Sequence, residues 1–174
     1  MTDWQSGFTS GVTATLIGFL CTILWDVYKH NRDKENKDKN TVHSVMEDVS
    51  ANIEILLNNK NLVQKELDFI SKNRELVVPL QVFRTGFWDL IKIERPVCIV
   101  RAESLFSNLK AIHDGLNYIN ECIKGRQLYK MTNMALTSFL IDVKKQDEIL
   151  MHQFNDIRTK LDEVLSELEN LTIR

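Results

Sequence analysis

Cysteine, proline and glycine are scarce in this chain, which has three, two and six of them in 174 residues. The cysteines, Cys21, Cys98 and Cys122, are too far apart for a disulfide framework or a zinc site, as is typical of a reducing compartment. So few turn-forming residues, with abundant Leu, Ile, Lys and Glu, predict an all-α protein. The formal net charge of −2 lacks the basic excess on which nonspecific nucleic-acid binding depends, so we expect no direct nucleic-acid binding.

Catalytic motifs are also missing from the sequence. The four histidines, at 30, 43, 113 and 152, form no metal-ligand cluster, and no glycine-rich phosphate loop or nucleophile motif is present. The HEPN ribonucleases, which are small α-bundles, share an Arg closely followed by a His, and here Arg101 and His113 are too far apart. We therefore predict a protein that is not an enzyme, with no catalytic, cofactor or metal site. A degenerate HEPN-like helical bundle remains an alternative.

Residues 7–25 form an uncharged stretch of nineteen residues. A helix of that length spans roughly 28 Å, close to the thickness of bilayer hydrocarbon. Trp4 lies near one end of the stretch and Trp25 and Tyr28 lie at the other, at the level where aromatic rings prefer lipid headgroups. The sequence predicts an extracytoplasmic N-terminus over 1–6, a transmembrane helix over 7–28, a charged linker over 29–40 and a cytoplasmic bundle over 41–174. A buried core helix is the alternative for 7–28.

The charges around this segment predict its orientation in the cell (inner) membrane. No Lys or Arg precedes it, whereas five follow within fifteen residues: Lys29, Arg32, Lys34, Lys37 and Lys39. The positive-inside rule therefore places the N-terminus outside and the C-terminal bundle in the cytoplasm.

Small residues recur along one face of the predicted membrane helix, at Gly7, Gly11, Ala14 and Gly18. Such a face lets helix backbones approach closely, so we expect the protein to form homo-oligomers through it. Hydroxyl side chains lie between these residues, at Thr9, Ser10 and Thr13. In a ring of such helices they are candidates for the lining of a pore.

The remaining sequence predicts an antiparallel bundle of three long heptad-patterned helices and one short helix. The long helices are expected over 41–72, with Thr41 as N-cap, over 97–124, ended by Gly125, and over 131–171; the short one is expected over 85–93. In the first, the apolar 4–3 alternation is interrupted only by Lys60 and runs through Val42, Met46, Val49, Ile53, Leu56, Lys60, Val63, Leu67 and Ile70. In the last, the alternation includes one polar residue, Asp147.

Two further groups of apolar residues are candidates for interaction. Phe87 and Trp88 lie in the most apolar stretch outside 7–28 and form either a patch for a protein partner or a plug that closes one end of the bundle. The last helix is longer than the one at 97–124, so its end is expected to pair with another subunit as a coiled coil. That end carries Leu161, Val164, Leu168 and Leu171.

The leading hypothesis from the sequence is a non-enzymatic, homo-oligomeric, single-pass membrane protein whose bundle binds an unknown cytoplasmic protein. One membrane span followed by an α-helical bundle resembles small single-pass membrane proteins of prokaryotic defence systems, including accessory proteins of RNA-targeting CRISPR loci. The likeness is one of architecture and rests on no residue motif. It implies the alternative of an oligomeric pore or another membrane-perturbing effector or accessory protein.

Overall fold

The protein is all-helical in the described part of its computed structural model, which covers the backbone of residues 3–74, 76, 78–133 and 138–172. Within those ranges, side chains are described for residues 15–171. Five helices follow one another along these ranges: α1 (Asp3–Ile70), α2 (Gly86–Glu94), α3 (Val97–Arg101), α4 (Glu103–Asn133) and α5 (Phe139–Thr172). The all-helical prediction is confirmed.

Helix α1 is continuous from Asp3 to Ile70, at 1.5 Å per residue a rod of roughly 100 Å. The prediction that a helix begins at Thr41 is wrong, because the charged stretch before it is helical too. Glu35 and Lys39 form an i,i+4 ion pair at 2.8 Å, and the Thr41 hydroxyl donates a hydrogen bond to the Lys37 carbonyl at 3.0 Å. Both contacts follow helical spacing, so the helix passes through the predicted linker without a break.

From residue 41 onward, α1 packs lengthwise against α5, and α4 packs beside α5. Buried positions alternate by three and four residues along each helix, as expected for a heptad seam. On α1 these are Val42, Val45, Val49, Asn52, Leu56, Asn59, Val63, Glu66 and Ile70. The predicted seam therefore shares five positions with the observed one, whereas Met46, Ile53, Lys60 and Leu67 are only half-buried at its edge.

The connection between α1 and α4 contains the two short helices. Arg95 adopts a left-handed conformation (φ 48°) after α2, and Pro96 then leads into α3. A break at Ala102 (ψ 82°) separates α3 from α4, so the single helix predicted from residue 97 is divided.

The ends of the two long C-terminal helices also differ from prediction. Helix α4 continues past Gly125 to Asn133, because Arg126 and Lys130 extend its buried face and are ion-paired there. Met131, where the last helix was predicted to begin, belongs to α4 instead, and α5 begins at Phe139.

Within the part of the chain whose side chains are described, no helix has a stretch long and apolar enough to cross a membrane. Residues 7–14 of the predicted transmembrane segment lie outside that part.

Candidate functional site

The most unusual surface of the protein is the part of α1 that extends beyond the bundle. All described side chains from residue 15 to residue 37 are exposed. Between residues 15 and 28, here called the apolar segment, nine large apolar or aromatic side chains are between 42% and 67% exposed: Leu16, Ile17, Phe19, Leu20, Ile23, Leu24, Trp25, Val27 and Tyr28. Monomeric soluble proteins rarely expose so many contiguous apolar side chains, so this segment indicates a surface that becomes covered.

The predicted oligomer face lies largely outside the described side chains. Gly7, Gly11 and Ala14 lie before residue 15, where the described side chains begin, and so do the predicted pore-lining residues Thr9, Ser10 and Thr13. Gly18 is described, and a Cβ added there meets no atom within 4 Å. Cys21, one helical turn further on, is exposed as a free thiol.

A second feature is a non-helical segment, residues 80–84, here called the strap, which is held between α1 and α4. Asn52 of α1 accepts a hydrogen bond from the Arg84 N–H (2.7 Å) and donates one to the Arg84 carbonyl (2.8 Å). Asn59, two helical turns further, makes the same pair of bonds with the Gln81 N–H and carbonyl (2.9 and 2.7 Å). Both amides are fully buried, so each replaces water for two polar main-chain groups.

Helix α4 holds the same strap from the other side. Asn120 accepts from the Phe83 N–H (2.7 Å) and donates to its carbonyl (3.0 Å), and Gln127 donates to the Leu80 carbonyl (3.0 Å). The Phe83 ring is buried, with its centroid 6.1 Å from that of Phe154 on α5. The strap therefore joins all three long helices, through main-chain bonds to two of them and a ring contact with the third.

At the end of the bundle farthest from the apolar segment lies a buried ionic cluster of four side chains: Glu66, Arg126, Lys130 and Asp147. Arg126 donates to the Glu66 carboxylate and, from Nε, to Asp147 Oδ1 at 2.5 Å, while Lys130 donates to the other Glu66 oxygen. All four side chains are 3% exposed or less. Two carboxylates and two cations balance, so the cluster is electrically neutral when all four groups are charged.

Burial shifts the titration of this cluster. Desolvation lowers the pKa of Lys130 to about 8, and the Asp147 carboxylate opposes that shift. The pKa of Asp147 is raised by burial, which the Arg126 guanidinium opposes. Because Glu66 contacts the Lys130 ammonium directly, its carboxylate also helps Lys130 to keep its proton. The cluster joins α1, α4 and α5 through charged hydrogen bonds inside the bundle.

The predicted partner residues Phe87 and Trp88 lie inside the core. Phe87 is fully buried and Trp88 nearly so, with its ring centroid 5.1 Å from that of Phe106. Both rings also contact the His113 imidazole. Both rings are therefore part of the core in this structure.

The end of α5 is placed against its own chain. Leu161, Val164 and Leu168 are buried in the core formed with α1, and Leu171 is half-buried at its edge. Helix α1 extends past the N-terminal end of α4, so the end of α5 packs against α1 of its own chain. The unequal helix lengths had predicted a second subunit at this position.

Among the described residues, no group of three or more His, Cys, Asp or Glu side chains is placed to hold a metal ion. Comparisons of the chain with protein-family models, with curated proteins and with solved structures gave no match.

Proposed function

We propose that the protein is a membrane-anchored helical scaffold: the N-terminal part of α1 inserts into a lipid bilayer and carries the bundle on a helical stalk. The observation that carries this proposal is the exposure of nine large apolar or aromatic side chains between residues 15 and 28. An exposed apolar surface of this size is typical of a site that contacts a membrane or another protein. No contact within the described chain covers the segment, so a bilayer is a suitable environment.

The free energy available from covering the apolar segment supports its insertion into a bilayer. Full burial of a large apolar side chain contributes about 1.5–3 kcal/mol, and nine such side chains are at present about half exposed. Their sum is about 10 kcal/mol, comparable with the whole stability of a small domain. The aromatic pair Trp25 and Tyr28, with ring centroids 6.0 Å apart, marks the end of the segment where headgroups would lie.

The positive-inside rule then places the bundle in the cytoplasm and the N-terminus outside, since the basic residues follow the apolar segment. Homo-oligomerisation through Gly7, Gly11, Ala14 and Gly18 is part of the same proposal. Open space around Gly18 is compatible with close helix approach. If the helices associate through this face, exposed Cys21 forms an intermolecular disulfide under mild oxidation in vesicles. Gly18→Leu is then expected to lower the yield of the disulfide-linked dimer.

In this proposal the bundle is the part presented to a cytoplasmic protein, in a non-enzymatic role. The exposed surfaces of α4 and α5 are suited to that contact, because they expose apolar side chains that the core does not use: Tyr118, Leu128, Met131, Ile141 and Ile149. The strap and the ionic cluster support the role by fixing the relative positions of the three long helices.

Vesicle flotation of the full chain tests the anchor. The wild-type protein is expected to float with phosphatidylcholine vesicles and to resist extraction by alkaline carbonate. Phe19→Arg with Ile23→Arg is expected to stay at the bottom of the gradient, since each central arginine costs about 3 kcal/mol in the bilayer. Leu128→Arg with Met131→Arg is the matched control, because it places two charges at exposed apolar positions of α4 and is expected to float. Equal flotation of both double variants would overturn the proposal.

A further inference from the structure

A pocket of about 610 Å³ lies at the end of the bundle nearest the apolar segment, here called the basal pocket. Its walls come from α1 before and at the start of the core, from α3 and from the last turn of α5. Val42, Val97 and Leu171 give it an apolar interior, and Cys98 lies among them. Its volume is within the range of sites that bind small organic molecules.

The charged residues around the basal pocket leave an excess of positive charge. Three cations and two carboxylates line it, an excess of one positive charge, and both carboxylates make contacts within the protein. Glu35 pairs with Lys39, which also lowers the pKa of Glu35, and Asp38 accepts a hydrogen bond from the Val97 N–H at 3.1 Å. The remaining two cations, Lys34 and Arg101, are exposed at the pocket and form no ion pair with any residue that the structure describes.

An apolar interior beside two available cations matches a ligand that has an anionic head and an acyl chain. A purely apolar ligand would leave the cations unused, and a free anion would leave the half-buried Val97 and Leu171 uncovered. We infer that the basal pocket binds an anionic lipid, with its phosphate at Lys34 and Arg101 and an acyl chain over Val97 and Leu171.

The position of the pocket indicates where the lipid comes from. Asn31 lines the pocket and follows Tyr28 by three residues, about 5 Å along the helix axis. In a membrane-anchored protein Asn31, at the edge of the pocket nearest the apolar segment, therefore lies at the level of the lipid headgroups, which extend about 5–7 Å from the hydrocarbon. The assignment of the ligand to the bilayer rests on the proposed function, whereas the recognition of an anionic amphiphile rests on the pocket alone.

Alkylation of the cysteines, resolved by peptide mass spectrometry, tests the inference on the full chain. Cys98 lines the basal pocket, while Cys122 is similarly half-buried but distant from it and acts as the internal control. Three probes are compared: monomeric lysophosphatidic acid, lysophosphatidylcholine of the same chain length, and inorganic phosphate. At about ten times its dissociation constant, lysophosphatidic acid is expected to slow alkylation of Cys98 about tenfold and to leave Cys122 unchanged.

Paired variants separate specific binding from detergent-like coating. Lys34→Gln with Arg101→Gln is expected to weaken the protection of Cys98 at least about fivefold, since a single basic residue near an anionic surface contributes about that factor. Lys110→Gln with Lys124→Gln removes two exposed cations from α4 and is expected to leave the protection unchanged.

Three outcomes overturn the inference: equal protection by the zwitterionic lipid, protection by inorganic phosphate alone, and protection that both double variants retain. The membrane proposal is tested separately by alkylation of Cys21 in phosphatidylcholine vesicles. An inserted helix shields that thiol from the alkylating reagent. Shielded Cys21 with unprotected Cys98 rejects the pocket assignment alone, and the reverse pattern rejects the anchor alone.

Discussion

Replacing Glu66 by Gln is expected to destabilise the bundle strongly, because Glu66 contacts both cations of the ionic cluster. Gln has nearly the same size and retains one acceptor oxygen, but its amide nitrogen presents donors where a cation now finds a carboxylate oxygen. Arg126, Lys130 and Asp147 are then left with a buried net positive charge. Removing one partner of a buried ion pair costs about 3–5 kcal/mol, which is a large part of the stability of a small domain.

The loss is expected to depend on pH in a defined direction. In the wild-type protein burial lowers the pKa of Lys130 to about 8, so this lysine stays charged in the folded state up to that pH. Without Glu66 its folded pKa falls further, whereas in the unfolded chain it stays near 10.4. The unfolded variant therefore binds more protons than the folded one below pH 8, and stability rises with pH in that range.

Urea unfolding at pH 6, 7 and 8 measures both effects, with wild type and Glu54→Gln alongside. Glu54 is exposed on the same helix, so its variant is expected to lie within about 0.5 kcal/mol of wild type. Glu66→Gln is expected to be weakest at pH 6 and to recover part of its loss by pH 8. A loss below about 1 kcal/mol at pH 6, or one independent of pH, would refute the buried cluster as described.

Other substitutions test the strap and the packing of α4. Asn52→Leu removes both hydrogen bonds to the strap and is expected to cost at least about 2 kcal/mol in thermal or urea unfolding, whereas exposed Asn58→Leu costs under about 0.5 kcal/mol. Equal losses of stability in the two variants would contradict a strap held by Asn52. Gly125→Ala is expected to stabilise α4 by about 0.5–1 kcal/mol, because the added Cβ meets no atom within 4 Å. At Gly115 the same change brings the Cβ within 3.0 Å of Ile157 Cδ1, so its gain is expected to appear only when Ile157→Val removes that atom.

The heptad pattern predicted the long helices well because their burial follows local spacing. On α5, every seam position from Val143 to Leu168 is buried as predicted, including Asp147, which had been the one polar exception. Why Asp147 is tolerated could not be predicted, since its partner Arg126 is twenty-one residues away on another helix.

On α1 the predicted seam was displaced by one position at four places. The observed seam buries Val45, Asn52, Asn59 and Glu66, and the last three are polar. A pattern based on apolar residues selects their neighbours instead, because the partners that satisfy the polar side chains are distant in sequence: 22 and 32 residues away for the two Asn residues and 60 or more for Glu66. The detectable signal was the recurrence of these polar side chains at intervals of seven residues.

The same signal recurs on α4, where Asn120 and Gln127 are also seven residues apart and hold the opposite side of the strap. That amide side chains bind the strap's main chain could not be predicted from the sequence, because the bonded groups are 22 or more residues apart. Helix boundaries at Thr41 and Gly125 were misplaced for a related reason. Thr often begins a helix and Gly often ends one. At Thr41 and Gly125, however, ion pairs and packing on both sides of the residue continue the helix.

The depth of a spin label attached to Cys21 tests the membrane anchor most directly, in full chains that carry Cys98→Ser and Cys122→Ser and are reconstituted in phosphatidylcholine vesicles. In the structure this thiol is exposed in the middle of the apolar segment. An inserted helix places the label where dissolved oxygen reaches it and a water-soluble nickel chelate does not, while a label at Asn31→Cys, in a chain that also carries Cys21→Ser, meets the chelate. If the label at Cys21 meets the nickel chelate as readily as the label at Asn31→Cys, α1 does not enter the bilayer.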